Sequence, residues 1–416
     1  MRRALLTALA LGLLAVPLLG FRLVQTPEGD ALTARPWAPV LVAAGVLACF
    51  LLVKVSGKLP DVGDRIGGLL QSLTSPKALA AWGVLAVAVP FLPNGTLKTL
   101  AGWDAGGGFH PLGWFTLETL TNLWLYVVLA LGLNLVVGQA GVLVLGYGGF
   151  YAIGAYTMAL LAAGLPVIEN DLMSFHGGIP YWGAVGGGIV LGALLAAVAG
   201  VLVGFPALRL RGDYLAIVTL GFGEVIVLVL KNWTAVTGGT NGVNITPALL
   251  RPLKDTWAYP GARWHYALAL AAAGAALLFH ARLQRSRLGR AWVAVREDET
   301  AARAMGIDAA RMKLLAFALA AAWAGLAGAL FAARIRFVTP ESFTFLESVT
   351  ILVMVVLGGM GSLRGAVVGA VLVTLLLEGL REAGGYRMLV FGALLAVMMV
   401  FRPQGLLPER RSGAGR

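Results

Sequence analysis

The sequence predicts an all-α, polytopic membrane protein with about 10–12 transmembrane helices, and three observations predict it. Charged residues are 12% of the chain and hydrophobic ones 59%, whereas soluble domains carry about 25% charged residues. The apolar residues fall in long runs, and mean hydropathy is +0.84. The connections between runs alternate between basic and weakly charged, as a bundle threading a membrane requires.

Twelve apolar runs can be read in order. Ala4–Gly20 follows a basic start and reads as a first membrane helix that need not be cleaved. Trp37–Val53 and Leu79–Leu92 come next, the latter short for a crossing of about 20 residues. Then follow Leu117–Val137, Val142–Ala163, Trp182–Gly204, Tyr214–Leu230 and Tyr266–Phe279. The last four are Leu314–Ala332, Phe345–Met360, Leu363–Leu377 and Met388–Phe401. With both termini inside, Lys54–Lys77, Phe205–Asp213, Ala281–Lys313 and the basic tail lie on the cytoplasmic face. Arg22–Arg35, Asn94–Phe115, Pro166–Tyr181 and Lys231–His265 lie outside. The expected organisation is extra N-terminal spans over 1–108, a core membrane domain over 109–408, and a basic tail over 409–416.

Glycine is abundant, at 56 residues, and lets membrane helices approach closely. Gly183xxxGly187, Gly188xxxGly192 and the stripe Gly361, Gly365, Gly369 have that spacing. The span Val142–Ala163 holds Gly146, Gly148, Gly149 and Gly154. It is either tightly packed or locally unwound beside a substrate path, because irregular backbone at membrane depth needs protein or a water-filled cavity around it.

The longest polar interruption is Ala281–Lys313, 33 residues with eight basic side chains and four acids. Arg290–Met305 has no Gly or Pro, and Trp292, Val295, Ala302 and Met305 fall near one helical face. Such a helix rests on lipid headgroups or docks a soluble partner.

Chemistry-bearing motifs are sparse. The net charge of +12 is spread over short connections, so it reads as topology and lipid headgroup contact and not as nucleic-acid binding. The single cysteine, Cys49, excludes an intrachain disulfide, and no metal-ligand cluster or CxxC occurs. No phosphate loop, Ser/His/Asp set or HExxH is present, so neither catalysis nor a cofactor is expected in this chain. Glu224 is the one acid well inside a span, with Glu118, Glu347 and Glu378 nearer span ends. A proton-driven carrier needs more ionisable groups at depth. Energy is therefore expected from a partner, through Ala281–Lys313.

Several stretches together resemble a known family. LGLNLVVGQAGVLVLGYGGFYAIGAYTMALL (131–161), FPALRLRGDYLAIVTLGFGE (205–224), TGGTNG (237–242), LGRAWVAVREDETAARAMGID (288–308) and FVTPESFTF, VVLGGMGS and RPQGLLP (337–408) are similar to permease subunits of branched-chain amino acid ABC importers, the LivM type. The resemblance implies a second permease of the LivH type, two cytoplasmic ATP-binding subunits of the LivG and LivF type that hold ATP and magnesium, and a periplasmic binding protein. It implies the bacterial inner membrane, with leucine, isoleucine and valine, or a broader set of hydrophobic amino acids, as substrates. Related permeases carry urea or short amides, and an ATPase-independent secondary carrier is the alternative of a different class. The family's coupling segment commonly reads EAA followed three residues later by Gly. Here Ala301, Ala302 and Gly306 keep that spacing, while Thr300 stands in place of the Glu, leaving Glu297, Asp298 and Glu299 as candidate contacts. TGGTNG carries Thr240 where members often have Pro. A zwitterion with an aliphatic side chain would need backbone dipoles, a few polar groups and an apolar wall. Gly146, Tyr147, Gly148, Gly149 and Phe150, with Thr219, Gly221 and Glu224, are the candidates for that path.

Overall fold

The computed structural model describes residues 21–26, 29–34, 117–163, 181–207, 213–245, 262–380, 391–392 and 405–407. The first three expected spans, most of Met388–Phe401 and the basic tail lie outside these. Contacts divide the chain into two units: Met1–Ser75 with Leu380–Pro403, and Pro76–Gly379 with Gln404–Arg416. In the first unit, the expected outer loop Arg22–Arg35 contains an antiparallel hairpin. Its strands, β1 (Phe21–Thr26) and β2 (Gly29–Ala34), pair Phe21 with Ala34 and Thr26 with Gly29.

The second unit is a helical bundle, with each of the eight spans expected between 117 and 377 appearing as a helix. These are α1 (Leu117–Asn134), α2 (Tyr147–Ala163), α3 (Tyr181–Ala207) and α4 (Asp213–Asn232), then, after the one-turn α5 (Thr234–Thr237), α6 (Ala262–Arg285). The polar stretch forms α7 (Arg287–Glu297) and α8 (Glu299–Ala304), and then come α9 (Ala309–Ile335), α10 (Phe345–Gly358) and α11 (Leu363–Gly379). Among the described residues, six segments are long and apolar enough to cross a membrane: Leu117–Gln139, Val185–Pro206, Tyr214–Asn232, Trp264–Arg285, Ala309–Ile335 and Pro340–Gly358. The chain is a multi-pass membrane protein. α2 and α11, at 17 residues each, span only about 25 Å.

α1 is the buried axis, with Val127 through Leu135 at 0% exposure for every apolar side chain. It touches α6, α9, α10 and α11, while α2, α3 and α9 form a second, tightly crossed group. That crossing depends on missing side chains. A Cβ on Gly154 would lie 2.0 Å from the Gly325 carbonyl oxygen, and one on Gly325 would lie 2.3 Å from that of Gly192. The expected stripe on α11 packs likewise, Gly365 and Gly369 lying against Gly358 and the Met354 carbonyl of α10. Gly187 differs from the spacing-based expectation, because a Cβ there meets nothing within 4 Å.

The glycine-rich segment after α4 is a structural turn. Buried Thr237 donates its hydroxyl to the carbonyls of Leu230 and Trp233, and Gly238, Gly239 and Gly242 take positive φ. The turn then lays β3 (Val243–Asn244) antiparallel against β4 (Phe337–Val338), which follows α9.

The close crossing yields a prediction. Gly154→Ala and Gly325→Ala should each destabilise the detergent-solubilised protein by about 1–3 kcal/mol, read as a lower melting temperature. Gly187→Ala should leave it unchanged.

Candidate functional site

The polar stretch does not form one helix. Asp298 has an extended backbone, and its carboxylate accepts the N–H groups of Thr300 at 2.8 Å and Ala301 at 3.0 Å. It therefore ends α7 and starts α8, as an N-cap aspartate does. Ser286 caps α7 through the Gly289 N–H, and Asp308 caps α9 through that of Arg311. α8 closes with Gly306 at φ +84: the Gly306 N–H meets the Arg303 carbonyl and the Ile307 N–H that of Ala302. This paired ending requires a left-handed residue, which explains the glycine of the AA-xxx-G spacing.

The apolar stripe turns inward. Trp292 is fully buried, and its indole N–H donates to the Met312 carbonyl at 2.7 Å. Val295, Ala302 and Ala309 form one cluster, with Ala294, Ile307 and Met312 packed around it. The expectation that Met305 shares this stripe is corrected: it is the residue after α8 and is 82% exposed. The break at Asp298 rotates it away. The outer surface instead presents Ala301, Arg303, Ala304, Met305 and Gly306.

The three acids are unequal. Asp298 is occupied as a cap. Glu299 bonds Lys313 at 2.7 Å and also pairs with Arg303. The Lys313 ammonium, aided by Arg303, holds the Glu299 carboxyl below its ordinary range. Glu297 is 51% exposed and lies 3.4 Å from Arg296. Glu297 and Asp298 are both exposed, whereas Glu299 is half-buried.

The α7–α8 element is tied to the break in the bundle. After α1 the chain makes a single wide turn, Leu135–Gln139, and then leaves helical geometry until Tyr147. The span expected from Val142 is therefore discontinuous at its start, its residues alternately buried and exposed from Gly141 to Val144. Arg296 donates to the Gly138 carbonyl in that wide turn. Asn134, fully buried, accepts the Gly361 N–H at 2.8 Å and donates to the Ser362 carbonyl at 3.4 Å. Gln284 of α6 donates to the Gly361 carbonyl at 3.1 Å. The sequence offered no sign of these long-range bonds; Arg296 stood there as one basic residue among eight.

The expected path residues separate into two groups. Gly146 lies so close to α4 that a Cβ would be 1.7 Å from the Thr219 carbonyl oxygen, and Gly149 packs on Gly223. Buried Thr219 accepts the Leu145 N–H at 3.1 Å and donates to the Ala216 carbonyl. Buried Tyr147 donates to the Ala320 carbonyl at 3.0 Å, the Gly148 N–H donates to the Ser348 hydroxyl at 2.8 Å, and Phe150 stacks on Phe222 at 5.2 Å. These six residues hold the break against α4, α9 and α10. Gly221 and Glu224 lie elsewhere: a Cβ on Gly221 meets nothing within 4 Å, and Glu224 is exposed. They share the outer face of α4 with Ile217, Val218, Val225 and Leu228.

Residues 115–402 match the family described as branched-chain amino acid transport system / permease component. The chain is 46% identical over 316 residues to the high-affinity branched-chain amino acid transport system permease protein LivM of Escherichia coli K12, covering 71% of each. It is 28% identical to the probable LivM permease of Methanocaldococcus jannaschii, over 71% of this chain and 94% of that one. It is also 27% identical to LivH of Escherichia coli K12, over 68% of this chain and 91% of that one. No solved structure matches. The match over residues 115–402 and the 46% identity place this chain in the family of branched-chain amino acid transport system permease components.

Proposed function

We propose that the chain is one of two related permease subunits of an ATP-driven importer for leucine, isoleucine and valine in the bacterial inner membrane. Its relatives of both the LivM and the LivH kind support a paired permease. Two cytoplasmic ATPases carry ATP and magnesium and dock on α7–α8, and a soluble binding protein delivers substrate outside. This chain performs no hydrolysis itself. Both termini are cytoplasmic.

The observation that carries this reading is the bonded route from α7–α8 to the break after α1. An element that only rested on headgroups would have no reason to be folded onto α9 by Trp292 and bonded to Gly138 by Arg296. The partner-facing surface is Glu297 with the exposed turn Arg303–Gly306.

The open face of α4 supports a path. Glu224 is the twelfth of 20 residues in α4, about 16 Å along it. A carboxylate facing lipid at that depth costs about 3 kcal/mol. The exposed face of α3 carries Val190, Leu194, Val198, Leu202 and Phe205 and suits lipid. The α4 face therefore meets the second permease across an aqueous path, and Glu224 pairs with the substrate's ammonium.

Purified with its partners in proteoliposomes, the protein should take up leucine only with ATP; uptake without ATPase subunits would identify a secondary carrier. Gly306→Pro or Glu297→Lys should cut uptake at least about tenfold while the chain still reaches the membrane, because a left-handed position lost costs about 1–2 kcal/mol locally and misaims α8. Uptake and substrate-stimulated ATP hydrolysis at wild-type levels in both variants would refute the docking assignment. Glu224→Gln should raise the KM for uptake about tenfold, the worth of one charge-assisted hydrogen bond; an unchanged KM removes Glu224 from the path.

A further inference from the structure

The wide turn at the end of α1 leaves carbonyls that no helical N–H can reach. The Ala140 N–H goes back to the Leu135 carbonyl, and the Val142 N–H goes to that of Val136. The Gly138 carbonyl is taken by a side chain from 158 residues away, the guanidinium of Arg296. Two effects favour a cation there: the end of a helix concentrates partial negative charge, and its last carbonyls need donors. The stem of Arg296 lies over Gly141, where a Cβ would sit 2.6 Å from Arg296 Cγ. Gly141 also has φ +70, so both its backbone and its missing side chain suit the contact.

On either side of this contact the chain is fixed. Upstream, Asn134 and Gln284 hold the Gly361 turn. Downstream, Leu145 is bonded to Thr219, and Gly146 rests on α4 between Thr219 and Gly223. Between these anchors, residues 138–144 form a short irregular segment. Arg296 is the last basic residue of α7 and neighbours Glu297, an exposed acid.

We propose that Arg296 is a positioning residue for transport: it carries displacement of α7–α8 into the irregular segment and so to the open face of α4. Asn134 with Gly361 is the fulcrum, and Arg296 on Gly138 and Gly141 is the arm. The inference rests on the ATP-driven reading above.

The test uses the complete importer, with its co-expressed partners, in proteoliposomes. Leucine uptake and ATP hydrolysis are measured together for wild type, Arg296→Met, Arg296→Lys and Gly141→Ala. Arg296→Met should lower uptake per ATP hydrolysed at least tenfold, with the KM for leucine unchanged and the ATPase subunits still bound. Arg296→Lys returns one charged donor and should recover part of the loss. Gly141→Ala pushes the arginine stem aside and should lower the ratio with Arg296 intact, which keeps the test open should Arg296→Met not reach the membrane. An unchanged ratio in Arg296→Met overturns the proposal. So does loss of the bound ATPases, which would make Arg296 a residue of assembly. Equal loss in Arg296→Met and Arg296→Lys would leave it a fixed structural cap and also overturns it. Wild type without ATP-dependent uptake brings down the ATP-driven reading and this proposal with it, an outcome separate from the other three.

Discussion

Backbone hydrogen bonding where helix breaks inside a bundle is the constraint on which the rest depends. α1 stops being α-helical at Asn134, and regular helix does not resume until Tyr147. In a membrane each peptide group so released must find a partner within the protein. The partners come from across the sequence: Arg296 for the Gly138 carbonyl, Thr219 for the Leu145 N–H and Ser348 for the Gly148 N–H. Satisfying one short segment thus draws α4, α7 and α10 to a single place, and the side chain of Asn134, where α1 ends, adds the turn before α11 by accepting the Gly361 N–H.

Glycine makes that convergence possible. Bonds from a broken segment reach neighbouring helices only if those helices come close. Gly146 on Thr219 and Gly149 on Gly223 bring the start of α2 against α4 at near-backbone separation. Gly154, Gly192 and Gly325 do the same where α2, α3 and α9 cross. Packing in a membrane has little hydrophobic driving force between helices, so close van der Waals contact and interhelical bonds supply the cohesion. The same glycines therefore both hold the bundle and admit the break.

The spans were legible because apolar length and basic connections are local signals, and all eight expected between 117 and 377 are helices. The inward stripe Trp292, Val295 and Ala302 was legible as helical periodicity, but its direction was not. A buried stripe and a docking stripe have the same sequence; only the position of Met312 beneath Trp292 separates them. Met305 was misread because periodicity was carried through Asp298, whose carboxylate caps a new helix. An aspartate followed by Glu299 and Thr300 is itself an N-terminal signal, so this part was present and outweighed by the absence of Gly and Pro. Among the path residues, Gly146–Phe150 stood out by glycine content, which marks close approach equally in a path and in a joint, and Thr219 as a polar group in a span. Arg296 was beyond reach, because its meaning lies in a bond to a residue 158 positions away.

The arrangement also bears on how force would pass through the molecule. A ligand or partner shifts a conformational equilibrium only by its differential affinity for the two states. Packed interiors deform little and so move as bodies. α7 and α8 are packed as one body with the start of α9 by Trp292 and the Val295–Ala302–Ala309 cluster. α10 and α11 are packed as another through Gly358, Gly365 and Gly369. Between these lie residues 138–144, bonded at Gly138, Ala140 and Val142 and without α-helix of their own. Relative displacement must be taken up where φ and ψ can change without breaking a helical ladder. That irregular segment, held by the Arg296 guanidinium at Gly138, by the Ala140 and Val142 N–H groups returning to Leu135 and Val136, and by Thr219 just beyond it at Leu145, is the stretch between the crossings of the described bundle with no α-helical ladder of its own.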